Sequence, residues 1–224
     1  MIDVTPATNI YNADVYSTIP LNAKKIIEIG TGSGALARQV ILNNPNVKYI
    51  GVEIFNSYYE VSSKICSKMY LEDMETASGE LMREFIDTDV VILADVLEHF
   101  KNPWRVLSRI KEWASENLML ISCIPNIQHW SVQMDVLAGN FKYQETGLLD
   151  KTHLRFFTRK SIIEMFNGAG YNIIDIKPRI FDFPGQNEAL QRIKFHAEAS
   201  DCDADEAVLD SAAYQYVVVS RIHR

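Results

Sequence analysis

A chain of 224 residues has the size of one full domain, or of one domain with an elaboration, and buries roughly 70% of its unfolded surface without needing a disulfide or metal staple. With 47% apolar and 23% charged residues it is excluded from the disordered, fibrous and low-complexity classes. The net charge of −7 is local: Glu198, Asp201, Asp203, Asp205, Glu206 and Asp210 share one stretch without Lys or Arg, which argues against a nucleic-acid backbone as the main partner.

In chain order, Met1 to Pro6 carries no basic region leading into an apolar run, and a polar leader with Tyr11 and Tyr16 follows. KKIIEIG at 24–30 reads as a short buried strand cut off by a glycine cluster. Ala35, Leu36, Ala37, Val40 and Ile41 recur at helical spacing until Asn43, Asn44 and Pro45. YIGVE at 49–53 is a second strand. The next helix is expected to open on a capping box of Ser57 with Glu60 and to present Tyr58, Val61, Ile65 and Met69. DVVILAD at 89–95 is apolar enough to be a central parallel strand. Asn102 and Pro103 fit an N-cap and first helical position ahead of Val106, Leu107, Ile110 and Trp113. LMLISCIPN at 118–126 repeats the strand-then-turn theme. Thr158, or Ser161 boxed with Glu164, opens a helix that Gly168 and Gly170 close. YNIIDIK at 171–177 and YQYVVVSRI at 214–222 are two further strands without βα alternation between them.

This alternation predicts an α/β fold with an open, mostly parallel sheet and helices on both faces. The expected organisation is one domain, 1–224, with an insertion at about 127–157 and an acidic excursion at about 182–213 containing one helix near Glu188 to Ala199. No apolar run approaches membrane-spanning length. Cys66, Cys123 and Cys202 are odd in number and widely spaced, so neither a disulfide framework nor a zinc site is expected, and a reducing, cytoplasmic setting fits.

The glycine cluster Glu28-Ile-Gly30-Thr31-Gly32-Ser-Gly34 lies where a parallel strand turns into a helix, so free amides can meet a ligand closely approached by backbone. Nineteen residues past Gly34, Glu53 ends the next strand, where a carboxylate can accept both ribose hydroxyls of a nucleoside. Gly30-x-Gly32-x-x-Ala35 also satisfies the dinucleotide fingerprint, which leaves a nicotinamide-dependent oxidoreductase open, and a non-catalytic nucleotide-binding or scaffolding subunit as well.

EIGTGSG resembles the first motif of the class I S-adenosylmethionine-dependent methyltransferases. GVE ending at Glu53 resembles their second motif, Asp73 in Leu71-Glu72-Asp73 falls at the adenine edge, and Asp95 in DVLEHF falls where cofactor and substrate meet. The resemblance implies a Rossmann-like seven-stranded sheet with an antiparallel last strand. It also implies S-adenosylmethionine as cofactor, S-adenosylhomocysteine as product, and Glu28, Gly30, Thr31, Gly32, Gly34, Glu53, Asp73 and Asp95 as cofactor-binding positions. Carboxylates suit a cofactor that is cationic at sulfur and lacks phosphates.

CIPN and the run GLLDKTHLRFFTRKSIIEMFNGAGY from Gly147 to Tyr171 resemble a small-molecule subgroup that includes enzymes of polysaccharide and natural-product assembly. The resemblance implies a small-molecule acceptor, with O-methylation of a saccharide or related intermediate favoured. Asp95 and Asn126 end neighbouring central strands, where open α/β sheets put ligands. His99 points the same way as Asp95 if its turn is helical. His153 and Arg155 share one side of an extended run if Leu154 is buried. His153 is the first candidate for a general base, with His99 and Asp95 beside it, and the alternative is a histidine that only pins the loop. Arg155 would orient an acidic acceptor. His129, Trp130, Phe141, Tyr143, Phe156 and Phe157 either wall an acceptor pocket or form the insertion's own small core. Asp150 reads as a turn residue. No H-x-x-x-H or clustered Cys/His/Asp spacing is present, so no metal is expected. The sequence leaves the oligomeric state open.

Overall fold

A computed structural model describes residues 10–223; the run Met1 to Pro6 read above lies outside them. Seven strands form one sheet: β1 (Lys25–Ile29), β2 (Lys48–Glu53), β3 (Lys68–Leu71), β4 (Val90–Ala94), β5 (Met119–Pro125), β6 (Tyr171–Arg179) and β7 (Gln215–Ile222). Their order is β3-β2-β1-β4-β5-β7-β6. The first five run parallel, and β7 is antiparallel to both β5 and β6. This is the Rossmann-like seven-stranded arrangement.

Period-2 side-chain alternation explains the uninterrupted apolar strands. Ile27, Val91, Leu93, Leu120 and Ile124 enter one core, while Ile26, Ile92, Ile121 and Cys123 enter the core on the opposite face. The second core is covered by α1 (Ala13–Thr18) and α2 (Ala35–Asn43), through Val15 and through Leu36, Ala37 and Val40. The first is covered by α5 (Pro103–Trp113) and α7 (Arg159–Gly168), following α3 (Asn56–Ser62), α4 (Gly79–Arg83) and α6 (Trp130–Leu137) in the chain.

Several local expectations are corrected. Helix α3 opens at Asn56 after Phe55, with Asn56 Nδ2 donating to Glu60 Oε1 at 2.7 Å, so the Ser57–Glu60 box does not form. It stops at Ser62, and Met69 belongs to β3; the hydroxyls of Ser62 and Ser63 bond back to the carbonyls of Tyr58 and Glu60, competing with the helix ladder. Helix α7 is capped by Thr158 in a reciprocal pair with Ser161, not by Ser161 with Glu164. Asn102 caps α5 with Pro103 as its first residue, as read.

The excursion between β6 and β7 holds two helices, α8 (Gln186–Ala199) and α9 (Ala204–Ala212). The acidic run supports the second: Asp203 caps α9, Asp205 and Glu206 sit in its first turn, and Asp210, 1% exposed, accepts from Arg159 Nε at 2.6 Å and Tyr216 Oη at 2.8 Å. At the amino ends of the strands, Glu84 is shared by Lys25, Lys48 and Lys68, which holds its carboxyl down at about 2 against the cost of burial. No helix of the described residues is long and apolar enough to cross a membrane.

Candidate active site

The parallel register ends Ile29, Val52, Tyr70 and Leu93 at one edge of the sheet, so the turns after β1, β2, β3 and β4 share it. Gly30, Gly32 and Gly34 all take positive φ (74°, 53° and 74°), which a side chain would strain. A Cβ on Gly30 would also overlap Val96, and one on Gly34 would come within 2.9 Å of Ile65. At Gly32 it would meet nothing within 4 Å, so crowding against the helix does not explain that glycine; its positive φ does.

That amide is held. Glu53, 5% exposed, accepts from Gly32 N at 2.9 Å through Oε2 and from Ile54 N and Phe55 N at 2.8 and 3.1 Å through Oε1. One carboxylate thus ties the glycine turn to the end of β2 and keeps lone-pair capacity for one or two further donors. Glu28 is buried beneath the turn, accepts from Tyr49 Oη at 2.9 Å, and is pushed up to about 8, first by desolvation and further by nearby Glu53. Its side chain thus ties β1 to β2 below the turn. Thr31 closes the turn itself, its hydroxyl donating to the Glu28 carbonyl at 3.1 Å. Asp73 lies exposed past β3, with Oδ1 accepting Glu75 N at 2.8 Å.

Asp95, at φ 55°, sits on the floor of the edge. A chain of polar contacts fixes it: Asp14 to Arg179, Arg179 to Gln215, and Gln215 Nε2 to Asp95 Oδ1. The surface of Asp95 is open but the surrounding protein pushes its carboxyl up to about 6, with Arg179 and Gln215 opposing.

His99 does not join Asp95. It ends a 3-10 turn, Leu97–His99, and packs edge-on against His153 with ring centroids 4.9 Å apart. The insertion is docked there because Leu154 N and Arg155 N both donate to the Glu98 carbonyl, at 2.8 and 3.0 Å. The expected facing is reversed: Leu154 is 46% exposed while the His153 side chain is largely covered. Arg155 donates to the carbonyls of Leu154 and Lys101, which fix its guanidinium at the docked insertion. Asp150 fixes the turn, accepting from Thr152 N and Oγ1 at 2.7 Å each.

Glu98, between Asp95 and His99, carries no sequence signal beyond an acid that follows apolar Val96 and Leu97. It is 1% exposed, neither carboxylate oxygen has a hydrogen-bond partner, and Oε1 lies 3.9 Å from His153 Nε2. Burial, with Asp95 nearby, raises its carboxyl well above the usual range. Glu98, His99 and His153 each place one ligand atom within 4.8 Å of the others, a cluster that spacing along the chain did not reveal. Desolvation lowers both imidazoles, so both are neutral near pH 7.

Asn126 is not a ligand group: its amide donates to the carbonyls of Asp210 and Ala213 at 2.7 Å each. His129 caps α6 and sits among the rings of Trp130, Phe183 and Tyr214. Phe157 joins the main core, whereas Phe141, Tyr143 and Phe156 stack in series toward His153. Beside them an apolar groove is lined by Ile127, Val132, Val136, Leu137 and Phe141.

A family model described as a methyltransferase domain matches residues 12–176. No curated protein matches the chain at a significant level. Among solved structures the chain resembles the magnesium protoporphyrin IX methyltransferase of Synechocystis PCC 6803 with bound S-adenosylhomocysteine (12% identity, TM-score 0.60, 95% of this chain and 80% of that one). It also resembles the plantazolicin methyltransferase BpumL in complex with S-adenosylhomocysteine (15%, 0.59, 90% and 77%). The mitomycin 7-O-methyltransferase MmcR is similar at 15% and TM-score 0.57, over 93% of this chain and 52% of that one. At these identities the likeness is one of fold.

Proposed function

The chain belongs to the methyltransferase-domain family, and we propose that it moves the methyl group of S-adenosylmethionine to a hydroxyl of a small molecule, a saccharide or saccharide-linked intermediate. The family match favours this cofactor over the dinucleotide that the glycines alone left open. The observation that carries the reading is the edge where Glu53 holds the Gly32 amide, with Asp73 and Asp95 on the flanking turns. A rim of carboxylates suits a cationic, phosphate-free cofactor. The relatives that bind S-adenosylhomocysteine support the same choice.

Methyl transfer needs the acceptor oxygen in line with the sulfur–methyl bond, and a neutral hydroxyl needs its proton removed. The His99–His153 pair at the insertion supports a deprotonating role, since both rings are neutral and fixed through Nδ1. The saccharide assignment rests on the likeness of the HLRFFT run, and the apolar groove suits an acceptor with an apolar portion. The test is release of S-adenosylhomocysteine from S-adenosylmethionine with a panel of hydroxylated, amine and carbon acceptors. Turnover confined to hydroxyl acceptors supports the reading; turnover only with amines or carbon acids overturns it.

A further inference from the structure

We propose that Glu98, His99 and His153 form a binding site for a divalent transition-metal ion, with zinc the fitting member, and that the ion holds the acceptor oxygen. The inference deepens the reading above and rests on it for the identity of the acceptor. Its basis is the direction of lone pairs. A carbonyl can only accept, so the contact of His153 Nδ1 with the Leu148 carbonyl at 3.3 Å puts the proton on Nδ1 and leaves Nε2 bare. His99 is fixed the same way and more firmly. The Thr152 hydroxyl gives its proton to Asp150 Oδ1 at 2.7 Å, so both Thr152 oxygens, each 3.2 Å from His99 Nδ1, accept from that ring. Its Nε2 is then bare as well.

Three groups therefore converge: two bare imidazole nitrogens and the Glu98 carboxyl, 1% exposed and without a hydrogen-bond partner on either oxygen, which would bind an ion as the carboxylate by giving up its proton. Such a cluster wants a cation. A proton on Glu98 neutralises the carboxyl but leaves it unbonded, because 3.9 Å between Glu98 Oε1 and His153 Nε2 exceeds hydrogen-bond length. Tetrahedral zinc with bonds of ~2.0–2.1 Å sets its ligand atoms ~3.3–3.4 Å apart, so the two groups would close by roughly half an ångström around the ion. Two histidines and a glutamate are a borderline-soft set that suits zinc and its neighbours better than magnesium, and three protein ligands leave a position open. The carbonyl of Leu148 and the Asp150–Thr152 pair are the outer hydrogen bonds that metal-binding histidines need. They come from the insertion, so its docking assembles the site. In turnover, the imidazoles would act as ligands and not as bases: the ion would acidify the bound acceptor hydroxyl, which would give its proton to solvent water. Its oxygen would then bond to the methyl carbon as the carbon–sulfur bond breaks, and neutral S-adenosylhomocysteine would leave.

The test uses tag-free, chelator-dialysed full-length protein titrated with Zn²⁺ by calorimetry, beside S-adenosylhomocysteine titrated separately. The proposal expects one equivalent of Zn²⁺, at least 100-fold weaker binding in His153→Ala and Glu98→Gln, and S-adenosylhomocysteine affinity within twofold of the parent in both. Co²⁺ should give the visible absorption of a four- or five-coordinate site, lost in the same variants. Absence of stoichiometric Zn²⁺ binding by the folded parent overturns the proposal, as does a Zn²⁺ site that either folded variant leaves unchanged. Cofactor binding without the metal sinks only the metal site; metal binding without S-adenosylhomocysteine binding sinks the reading on which it rests.

Discussion

The proposed cofactor edge and the proposed acceptor edge both centre on a buried glutamate, and the two glutamates are treated oppositely. Glu53 accepts three backbone amides from its own strand end and from the glycine turn. Glu98 accepts none at its carboxylate, and its neighbours His99 and His153 stand 54 residues apart in the chain. A buried carboxylate held by three amides is a fixed part of a preorganised surface, ready to meet polar hydroxyls with the capacity left over. An unsatisfied one is costly unless a proton or cation joins it. The first edge is built by local backbone geometry, and the second by docking of the insertion, so the two should fail differently.

The sharpest separation is expected from His153→Ala. Turnover should drop about 10²- to 10⁴-fold while S-adenosylhomocysteine affinity stays within twofold. Parallel loss of melting temperature, acceptor KM and rate would make the residue a pin for the loop only. On the other side, Gly30→Ala should cost about 2–5 kcal/mol, combining a positive φ with overlap on Val96, and should abolish cofactor binding. Gly32→Ala, which meets open space, should cost only about 1–2 kcal/mol. Equal melting temperatures for the two variants would remove Val96 from the account of the turn.

Glu53→Ala should weaken S-adenosylhomocysteine by roughly 1.5–3 kcal/mol through lost charge-assisted bonds and a released Gly32 amide, read by calorimetry. A separate effect, read against pH, is expected from Glu28→Gln. Because the folded carboxyl sits at about 8 and the unfolded one at 4.5, the native state holds the extra proton between those values. The contribution of Glu28 to stability therefore falls as pH rises from about 4.5 to about 8 and then levels. Denaturant titrations should find the variant matching the parent at pH 4, gaining on it through that window, and keeping a constant lead above it. A difference independent of pH would mean that Glu28 is charged in the folded protein.

The same contrast explains what the sequence disclosed. Strands β1, β2, β4 and β5 are covered on both faces, so their apolar runs stand out, and the glycine turn and Glu53 are tied to them by short spacing. Strand β3 is a four-residue sheet edge with only Tyr70 buried, too short to register, and its Met69 was absorbed into a helical pattern. Helix α9 hid in the acidic run because its charges are used as a cap and as partners for Arg159, Lys160 and Lys194. Gly51 carries no signal beyond a glycine inside a strand, yet a Cβ there would overlap Met69. At the acceptor edge, His99 and His153 were legible as residues, but their meeting over Glu98 depends on contacts between distant segments, which no local pattern encodes.

The central claim is that the glycine turn and Glu53 form an S-adenosylmethionine site. Calorimetric titration of the parent protein and Glu53→Ala with S-adenosylhomocysteine, and with a nicotinamide dinucleotide as competitor, tests it most directly. The account predicts one equivalent of S-adenosylhomocysteine bound by the parent, at least tenfold weaker binding by the variant, and no displacement by the dinucleotide. Unchanged affinity in a folded Glu53→Ala protein, or displacement of the ligand by the dinucleotide, would contradict it.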